Sequence, residues 1–210
     1  MPTTVELREM AREIGLELAD LEASSEASPI EIVLTLEEAA EIELALRRPD
    51  TARAMLRRAL RMREEQLERD AGSLFETQLA LAEAELDAGD AEAAITAAEA
   101  ALALRAELSN ELGAELARAH EIRGDALLVS DRPTAHREAR DAYSIALELD
   151  RETGEPGDRA RVLVGLMRVA DLEDDAAALA RHDVELRSLP SDEDVDEQRA
   201  AADELLEARG

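Results

Sequence analysis

A nine-residue pattern that recurs along the chain constrains the fold more than any other feature. The pattern is Ala-x3-(Leu/Ala/Tyr)-x2-Ala-Leu, and its three copies begin at Ala52, Ala94 and Ala139, which are 42 and 45 residues apart. In a helix, its alanines lie on one face and allow a second helix to approach closely. We therefore expect Ala94 and Ala139 at close helix contacts, and Ala97 nearer the surface. Because one helix pair cannot bury such a face alone, the recurrence predicts stacked helix pairs.

Local signals predict helices along almost the whole chain. Ala, Leu, Glu and Arg dominate, and aromatic residues make up 1% of the 210 residues, a composition typical of helices. Capping boxes at Thr3–Glu6 and Ser28–Glu31 mark two helix starts, and Gly89 and Gly154 fit helix ends. Short links make consecutive helices antiparallel neighbours. The predicted helices span about residues 4–22, 29–47, 50–69, 72–88, 91–108, 110–130, 134–152, 158–171, 174–188 and 191–208.

One predicted helix pair carries further features of a known repeat. Gly89-Asp90 stands at its turn, and Ala82 and Gly124 are small residues that a first helix can present to its partner. Together with the pattern on each second helix, these residues resemble the tetratricopeptide repeat (TPR). The spacing is longer than the 34 residues of the standard repeat. It resembles the extended variant, of about 40 residues, found in kinesin light chains and in sensor domains attached to signalling ATPases.

The resemblance implies an all-α fold, a right-handed superhelical stack of antiparallel helix pairs (an α-solenoid). It covers residues 29–188, which would hold three to four pairs, with a degenerate fourth copy at Ala178. Residues 1–28 and 189–210 are expected to form the N-terminal and C-terminal capping helices. The chain departs from the family because it lacks the large aromatic residues of the first helix and the proline that ends each repeat. An ordinary helical bundle is the alternative explanation of the alanine pattern.

The charge of the chain argues against several classes of partner. Asp and Glu total 51 and the basic residues, all of them Arg, total 24, which gives a net charge of −27. A field this negative repels nucleic acid and anionic membranes. An acidic surface without Lys is typical of cytoplasmic proteins in salt-accumulating halophiles, and a GC-rich genome is the alternative reason for the missing Lys. The first residues show no signal-peptide pattern, so we expect a cytoplasmic location.

The sequence gives no indication of an enzyme, a cofactor or a metal site. It contains no Cys, its histidines (His120, His136 and His182) lack metal-ligand spacing, and no glycine-rich phosphate loop occurs. The acidic segment that begins at Ser191 lacks the glycine and the glutamate that an EF-hand loop requires. We therefore expect a non-catalytic protein without a cofactor, and an enzyme built on a helical bundle is the least favoured hypothesis.

The resemblance implies that a protein or peptide binds along the groove that first helices line in the family. The carboxylate clamp of chaperone-binding members is not expected, because it uses Lys and Asn and this chain has no Lys and only Asn110. The alternative function is a self-associating regulatory or sensor domain, for example a homodimer, that acts with a separately encoded transcription or ATPase partner. By register, the residues expected to face the groove are Glu41, Glu83, Arg118, Glu121, Asp125, Arg159 and Arg168.

A run of arginines interrupts the acidic background and provides an alternative binding patch. Arg53, Arg57 and Arg61 follow an i, i+4, i+8 spacing, which places them on one face of a predicted helix. Guanidinium groups match carboxylates and phosphates, so this face could dock an acidic partner. It could equally pair with glutamates of neighbouring helices, such as Glu37, Glu41 and Glu76.

Overall fold

A computed structural model describes residues 2–108 and 112–209 and contains each of the ten predicted helices. Most ends differ from the predicted ones by one to three residues, and the fifth helix ends early in a 3-10 turn at Leu104–Glu107. Asn110 and the predicted start of the sixth helix lie outside the described residues. The helices are α1 (Thr4–Ala23), α2 (Pro29–Ala45), α3 (Pro49–Gln66), α4 (Ala71–Asp87), α5 (Ala91–Ala103), α6 (Gly113–Leu128), α7 (Ala135–Thr153), α8 (Pro156–Leu172), α9 (Ala176–Ser188) and α10 (Glu193–Glu207).

Both predicted capping boxes are present. The backbone N–H of Thr3 donates to Glu6 Oε2 at 2.7 Å, and that of Ser28 donates to Glu31 Oε2 at 2.8 Å. The hydroxyl oxygens of Thr3 and Ser28 in turn accept from the backbone of the same glutamates. These reciprocal bonds satisfy donors that the first turn of a helix otherwise leaves free, which fixes where α1 and α2 begin.

Three of the helix pairs, α2–α3, α4–α5 and α8–α9, share one turn geometry. A single residue in each turn has a left-handed backbone: Arg47 (φ 59°), Gly89 (φ 81°) or Asp174 (φ 55°). The amide of the next residue donates to the carbonyl five residues back, which is the longer bond of a Schellman motif. These bonds are Arg48 to Glu43 (2.8 Å), Asp90 to Glu85 (2.9 Å) and Asp175 to Ala170 (2.8 Å).

The shared turn fixes the register of the last pair. Counted from the left-handed residue, Leu179 of α9 corresponds to Ala94 of α5, so the predicted fourth copy at Ala178 is one residue out of register. Leu179 is buried, whereas Ala178 is only partly buried. The sequence pattern misses this copy because leucine replaces the leading alanine.

The chain divides into two compact units, residues 1–108 and 109–210. In the first unit α1 packs on α2, α2 on α3, and α4 against both α3 and α5. In the second unit α6 packs on α7, and α8 packs against α7, α9 and α10. The predicted division into capping helices (1–28 and 189–210) and repeats (29–188) stays a prediction.

The second helices bury the alanines of the pattern. Ala52, Ala94 and Ala139 have no solvent exposure, as a close helix contact requires. Ala97, which we expected nearer the surface, is 5% exposed. Ala97 lines a cavity between α5 and α3, so it lies slightly nearer the surface than the other three alanines, although it is still buried.

Candidate functional site

The second unit brings several of the predicted groove residues together around one buried carboxylate. Glu121 of α6 is 4% exposed. Its Oε2 lies 2.9 Å from Arg118 Nη1 on the same helix, and its Oε1 accepts from Arg161 Nε of α8 at 3.0 Å. Arg161 also contacts Asp158 Oδ1 at 2.6 Å through its Nη2. The carboxylate therefore links α6 to α8, and two guanidinium groups satisfy it.

Asp125, one turn further along α6, forms a second anchor. Its Oδ1 accepts a hydrogen bond from the Tyr143 hydroxyl of α7 at 2.6 Å. Burial raises the pKa of Asp125, against the opposing effect of that hydrogen bond and of the charges of Arg118 and Arg168. Burial and the adjacent Asp125 carboxylate also raise the pKa of Tyr143. Arg168 is exposed at the edge of this group.

Tyr143 is packed between two helices that carry glycine where they meet its ring. A Cβ on Gly124 of α6 would lie 2.7 Å from Tyr143 Cε1, and a Cβ on Gly165 of α8 would lie 2.6 Å from the same atom. Neither helix could carry even an alanine here without moving the ring. The glycines thus allow α6, α7 and α8 to converge beneath the charged side chains.

A third buried acid lies near the start of α8. Asp150 of α7 is 3% exposed. Burial raises its pKa to about 6, and the negative charges of Asp158 and Glu121 act in the same direction, opposed by Arg161 and Arg159. The second unit therefore holds a mixed cluster of carboxylates and arginines in which the buried members are acids.

Arg159 and Arg161 of α8 are two residues apart in the sequence and lie on different sides of the helix. Arg161 bonds to Glu121, although the sequence pattern did not select it. Arg159, which was selected, lies about 200° away around the helix, and its Nε is buried without a hydrogen-bond partner among the described residues. That Arg159 faces the binding groove stays a prediction.

The remaining candidates lie in the first unit. Glu41 of α2 is exposed and Glu83 of α4 is partly buried. Neither belongs to the cluster around Glu121, so five of the seven predicted groove residues lie in the second unit and two in the first. Their role in binding stays a prediction.

The alternative arginine patch is partly paired within the first unit. Glu85 of α4, which is 1% exposed, lies 3.4 Å from Arg53 Nη1 and 2.6 Å from Arg57 Nη2. Arg61, one turn further along α3, is exposed. Glu85 was not among the partners that the sequence suggested.

Glu37, which was suggested as a partner of the patch, pairs instead with Arg63 of α3. Arg63 donates to it from Nε at 2.8 Å and from Nη2 at 2.7 Å, and the Thr77 hydroxyl of α4 donates at 2.5 Å. This bidentate pair joins α2, α3 and α4, and it raises the pKa of the Arg63 guanidinium. Several glutamates lie at similar sequence distances from these arginines. The sequence alone therefore cannot show which glutamate each arginine contacts.

Among residues 2–108 and 112–209, no group of three or more His, Cys, Asp or Glu side chains is arranged to hold a metal ion. None of the helices there has the length and apolar character needed to cross a membrane.

Comparison with known proteins identifies the fold. No family model and no curated protein matches the chain. BtubC (BKLC) from P. vanneervenii matches with 18% identity over 84% of this chain and 70% of its own, at a TM-score of 0.64. The apo form of RapI matches with 16% identity over 86% of this chain, at a TM-score of 0.70, and this chain spans 48% of its length.

A variant of a putative kinesin light chain of Podosopora anserina, described as nearly identical TPR-like repeats, is also similar. It shares 17% identity over 90% of this chain and 96% of its own, at a TM-score of 0.65. At such identities the likeness concerns the fold, and it agrees with the helix pairs and repeated turns described above. The chain folds as an all-α, TPR-like solenoid of antiparallel helix pairs.

Proposed function

We propose that this chain is a non-catalytic scaffold that binds a protein or peptide on the charged face of α6 and α8. One observation carries the proposal: Arg118, which is partly exposed, and Arg168, which is exposed, lie beside the carboxylates of Glu121 and Asp125. A guanidinium that is already oriented loses less side-chain freedom when it binds a carboxylate. The expected ligand is a peptide segment with carboxylates spaced to meet both arginines.

The TPR-like fold supports this proposal. The resemblance in sequence implies that first helices present the binding groove, and α6 and α8 are first helices of their pairs. The two helices come together at Glu121, so residues on both can contact one bound segment. The similar kinesin light chain consists of TPR-like repeats, and binding of a partner by this chain is our inference.

The roles of the buried acids support a non-catalytic function. Glu37, Glu85 and Glu121 each lie between helices and accept from arginines of a neighbouring helix. A general acid or base must instead reach a substrate in its working protonation state. These carboxylates are satisfied by helix-to-helix ion pairs, and we infer that they hold the scaffold together.

Charge reversal at Arg168 tests the proposed site. Arg168→Glu removes one exposed cation of the cluster, and Arg181→Glu on α9 is a matched control because Arg181 is also exposed. Tagged parent and variant chains are incubated with host-cell extract at native salt, and the captured proteins are quantified by mass spectrometry. We expect Arg168→Glu to lose a captured protein that the control retains, with both variants melting like the parent. Identical capture by the two variants would contradict the proposal.

The net charge of the chain also restricts the classes of partner. With a net charge of −27, we expect no binding to nucleic acid or to anionic vesicles at low salt.

Light scattering at increasing chain concentration distinguishes the scaffold from the self-associating regulator. A monomer mass throughout favours the scaffold, and a dimer favours the alternative.

A further inference from the structure

The first unit contains an open groove between α3 and α5 whose floor is one stripe of α4. Two cavities of about 500 and 460 Å³ lie end to end in it and share Gln78 and Ala100. The floor residues Leu74, Gln78, Leu81 and Glu85 follow an i, i+4, i+7, i+11 spacing along α4. At 1.5 Å per residue this stripe is about 16 Å long, which matches three turns of a helix.

This groove is distinct from the face on which the sequence predicts binding. Glu83, the predicted groove residue of α4, lies two residues beyond Leu81, a rotation of about 200° around the helix. The two faces of α4 therefore point in nearly opposite directions. A ligand in the groove between α3 and α5 would not contact Glu83.

The walls of the groove are low and mainly apolar. On the α5 side they consist of alanines at helical spacing together with Glu92 and Thr96, and on the α3 side leucines alternate with charged residues. Small side chains let the backbone of a docked helix come close, and leucines supply apolar area to bury. The wall residues are Ala93, Ala97, Ala100 and Ala103 on α5, and Arg57, Leu60, Arg63 and Glu64 on α3, with Leu67 just after it.

The equivalent gap in the second unit is bridged by an ion pair. Arg151 Nη2 of α7 lies 2.6 Å from Glu185 Oε1 of α9. Arg151 is twelve residues after Ala139, and Glu185 is six after Leu179, the leading positions of their helices. The same counts from Ala52 and Ala94 reach Glu64 and Ala100, which line the first unit's cavity. Alanine at the second position cannot pair with Glu64, so this pair is absent from the first unit. At the end of the groove Arg69, which lines the same cavity, contacts Glu107 of the 3-10 turn that follows α5.

Charge and hydrogen bonding indicate what the open groove would accept. Three arginines and one acid line the groove on its α3 side, and the acids Glu85 and Glu92 lie on its floor and its α5 side. Arg57 on its rim is half exposed even while it contacts Glu85. Gln78, in the middle of the floor, makes no hydrogen bond within the described residues. A polar group that faces Gln78 would satisfy it, and an acidic edge would meet α3.

We propose that the groove between α3 and α5 docks one amphipathic α-helix of a partner protein. That helix has small and leucine side chains on its buried face, one hydrogen-bonding residue opposite Gln78, and carboxylates along the edge that faces α3. The proposal does not rest on the site around Glu121. It gives the scaffold a second, separate binding surface.

Two pools of synthetic 18-residue helical peptides test the proposal against the full chain by fluorescence anisotropy. Both pools vary Leu and Ala at i, i+4, i+7 and i+11 around a central Gln. One pool carries Glu along one edge and the other carries Arg there. We expect the best Glu-edged peptides to bind at least tenfold more tightly than any Arg-edged peptide. Equal binding by both pools, or no binding by either, would overturn the proposal.

A double variant that introduces the ion pair of the second unit at the equivalent positions of the first unit should close the groove. In Glu64→Arg/Ala100→Glu the new pair reproduces Arg151 and Glu185, so we expect peptide affinity to fall at least tenfold without a lower melting temperature. Glu64→Arg adds positive charge to the side that attracts acidic peptides, so loss of binding cannot come from repulsion there. The exposed pair Glu152→Arg/Ala177→Glu is the charge-matched control and should bind like the parent.

Two further variants separate this proposal from the others. Gln78→Leu should weaken binding several-fold if its amide contacts the peptide, and unchanged binding would contradict the assigned orientation. Loss of peptide binding in Arg168→Glu would place the peptide at the α6–α8 site and would contradict docking in the groove. If the parent dimerises and the bridged double variant does not, the occupant is a second copy of this chain and the proposed partner helix is wrong.

Discussion

At the residue scale, Tyr143 determines which side chains its neighbours can carry. Tyr143 stands at the pattern position that Leu56 occupies on α3. A methyl group on Gly124 would overlap the ring, so we expect Gly124→Ala to lower the free energy of unfolding by about 1–3 kcal/mol. In a Tyr143→Leu background the same change should cost little. Urea unfolding of the four chains measures both effects.

A second glycine provides the control for this prediction. Gly15 lies in the exposed part of α1, and a Cβ built on it meets nothing within 4 Å. Gly15→Ala should therefore stabilise the chain by up to about 1 kcal/mol through helix propensity alone. If Gly124→Ala costs the same with leucine at 143 as with tyrosine, contact with the ring is not the cause.

Asp150 should give the second unit a measurable dependence on pH. Its pKa of about 6 when folded is above the unfolded value of about 3.9. Its contribution to stability is thus complete below about pH 4 and is lost as the pH rises through about 6. Asp150→Asn stays neutral, so we expect it to exceed the parent by about 1–3 kcal/mol near pH 7. Near pH 3.5, where both side chains are neutral, the two should be about equal.

Thermal or urea unfolding between about pH 3.5 and 7.5 checks this dependence, since Asp150 changes charge within that range. Asp141→Asn is the matched control, because Asp141 lies on the same helix but is exposed. If Asp141→Asn gains as much stability near neutral pH as Asp150→Asn, the gain comes from the reduced net charge. The prediction would then be wrong.

Single residues also show which parts of the candidate site could be predicted from the sequence and which could not. Gly124 could be predicted because it is a small residue at a repeated register. Gly165 and Arg161 could not, since α8 holds Tyr143 and Glu121 from directions that no repeat position marks. Their partners lie about 20 and 40 residues away along the chain, and only packing brings them together.

At the element scale, α3 is held to α4 by two arginines that share a buried carboxylate. We expect Arg53→Gln/Arg57→Gln to lower the free energy of unfolding by about 1–3 kcal/mol, because Glu85 then remains buried without either cation. Arg61→Gln on the same helix should change it by less than about 0.5 kcal/mol. Urea unfolding at low salt makes the comparison. Parent-like stability of the double variant would instead favour docking of a partner by this patch.

The helix pairs themselves were largely predictable from the sequence. Alanine spacing marks three second helices because close packing excludes larger side chains, and capping boxes mark the first two helix starts. The turns were only partly predictable. The glycine at position 89 indicates a left-handed backbone, whereas Arg47 and Asp174 adopt the same conformation without glycine. There the bonds between the flanking helices impose the turn.

At the scale of the whole molecule, the acidic composition predicts a response to salt. With 51 acidic residues and 24 arginines, the carboxylates exceed the arginines by 27, so many of them lack a cation. Screening weakens exposed ion pairs, which are worth about 0.2–1 kcal/mol each. It also relieves the repulsion among the unpaired carboxylates. We expect the second effect to dominate, so the melting temperature should rise markedly between about 0.05 M and 2 M KCl.

A variant with fewer charges tests whether repulsion is the cause of that rise. Replacing six exposed glutamates of α1 and α10 by glutamine changes the net charge from −27 to −21. Its melting temperature, followed by circular dichroism, should exceed that of the parent in dilute buffer and converge with it in molar KCl. An equal rise with salt in both chains would point to a general effect of KCl on apolar burial. An unchanged midpoint in the parent would remove the physical basis for a halophilic surface. The substituted residues are Glu9, Glu13, Glu17, Glu193, Glu197 and Glu204.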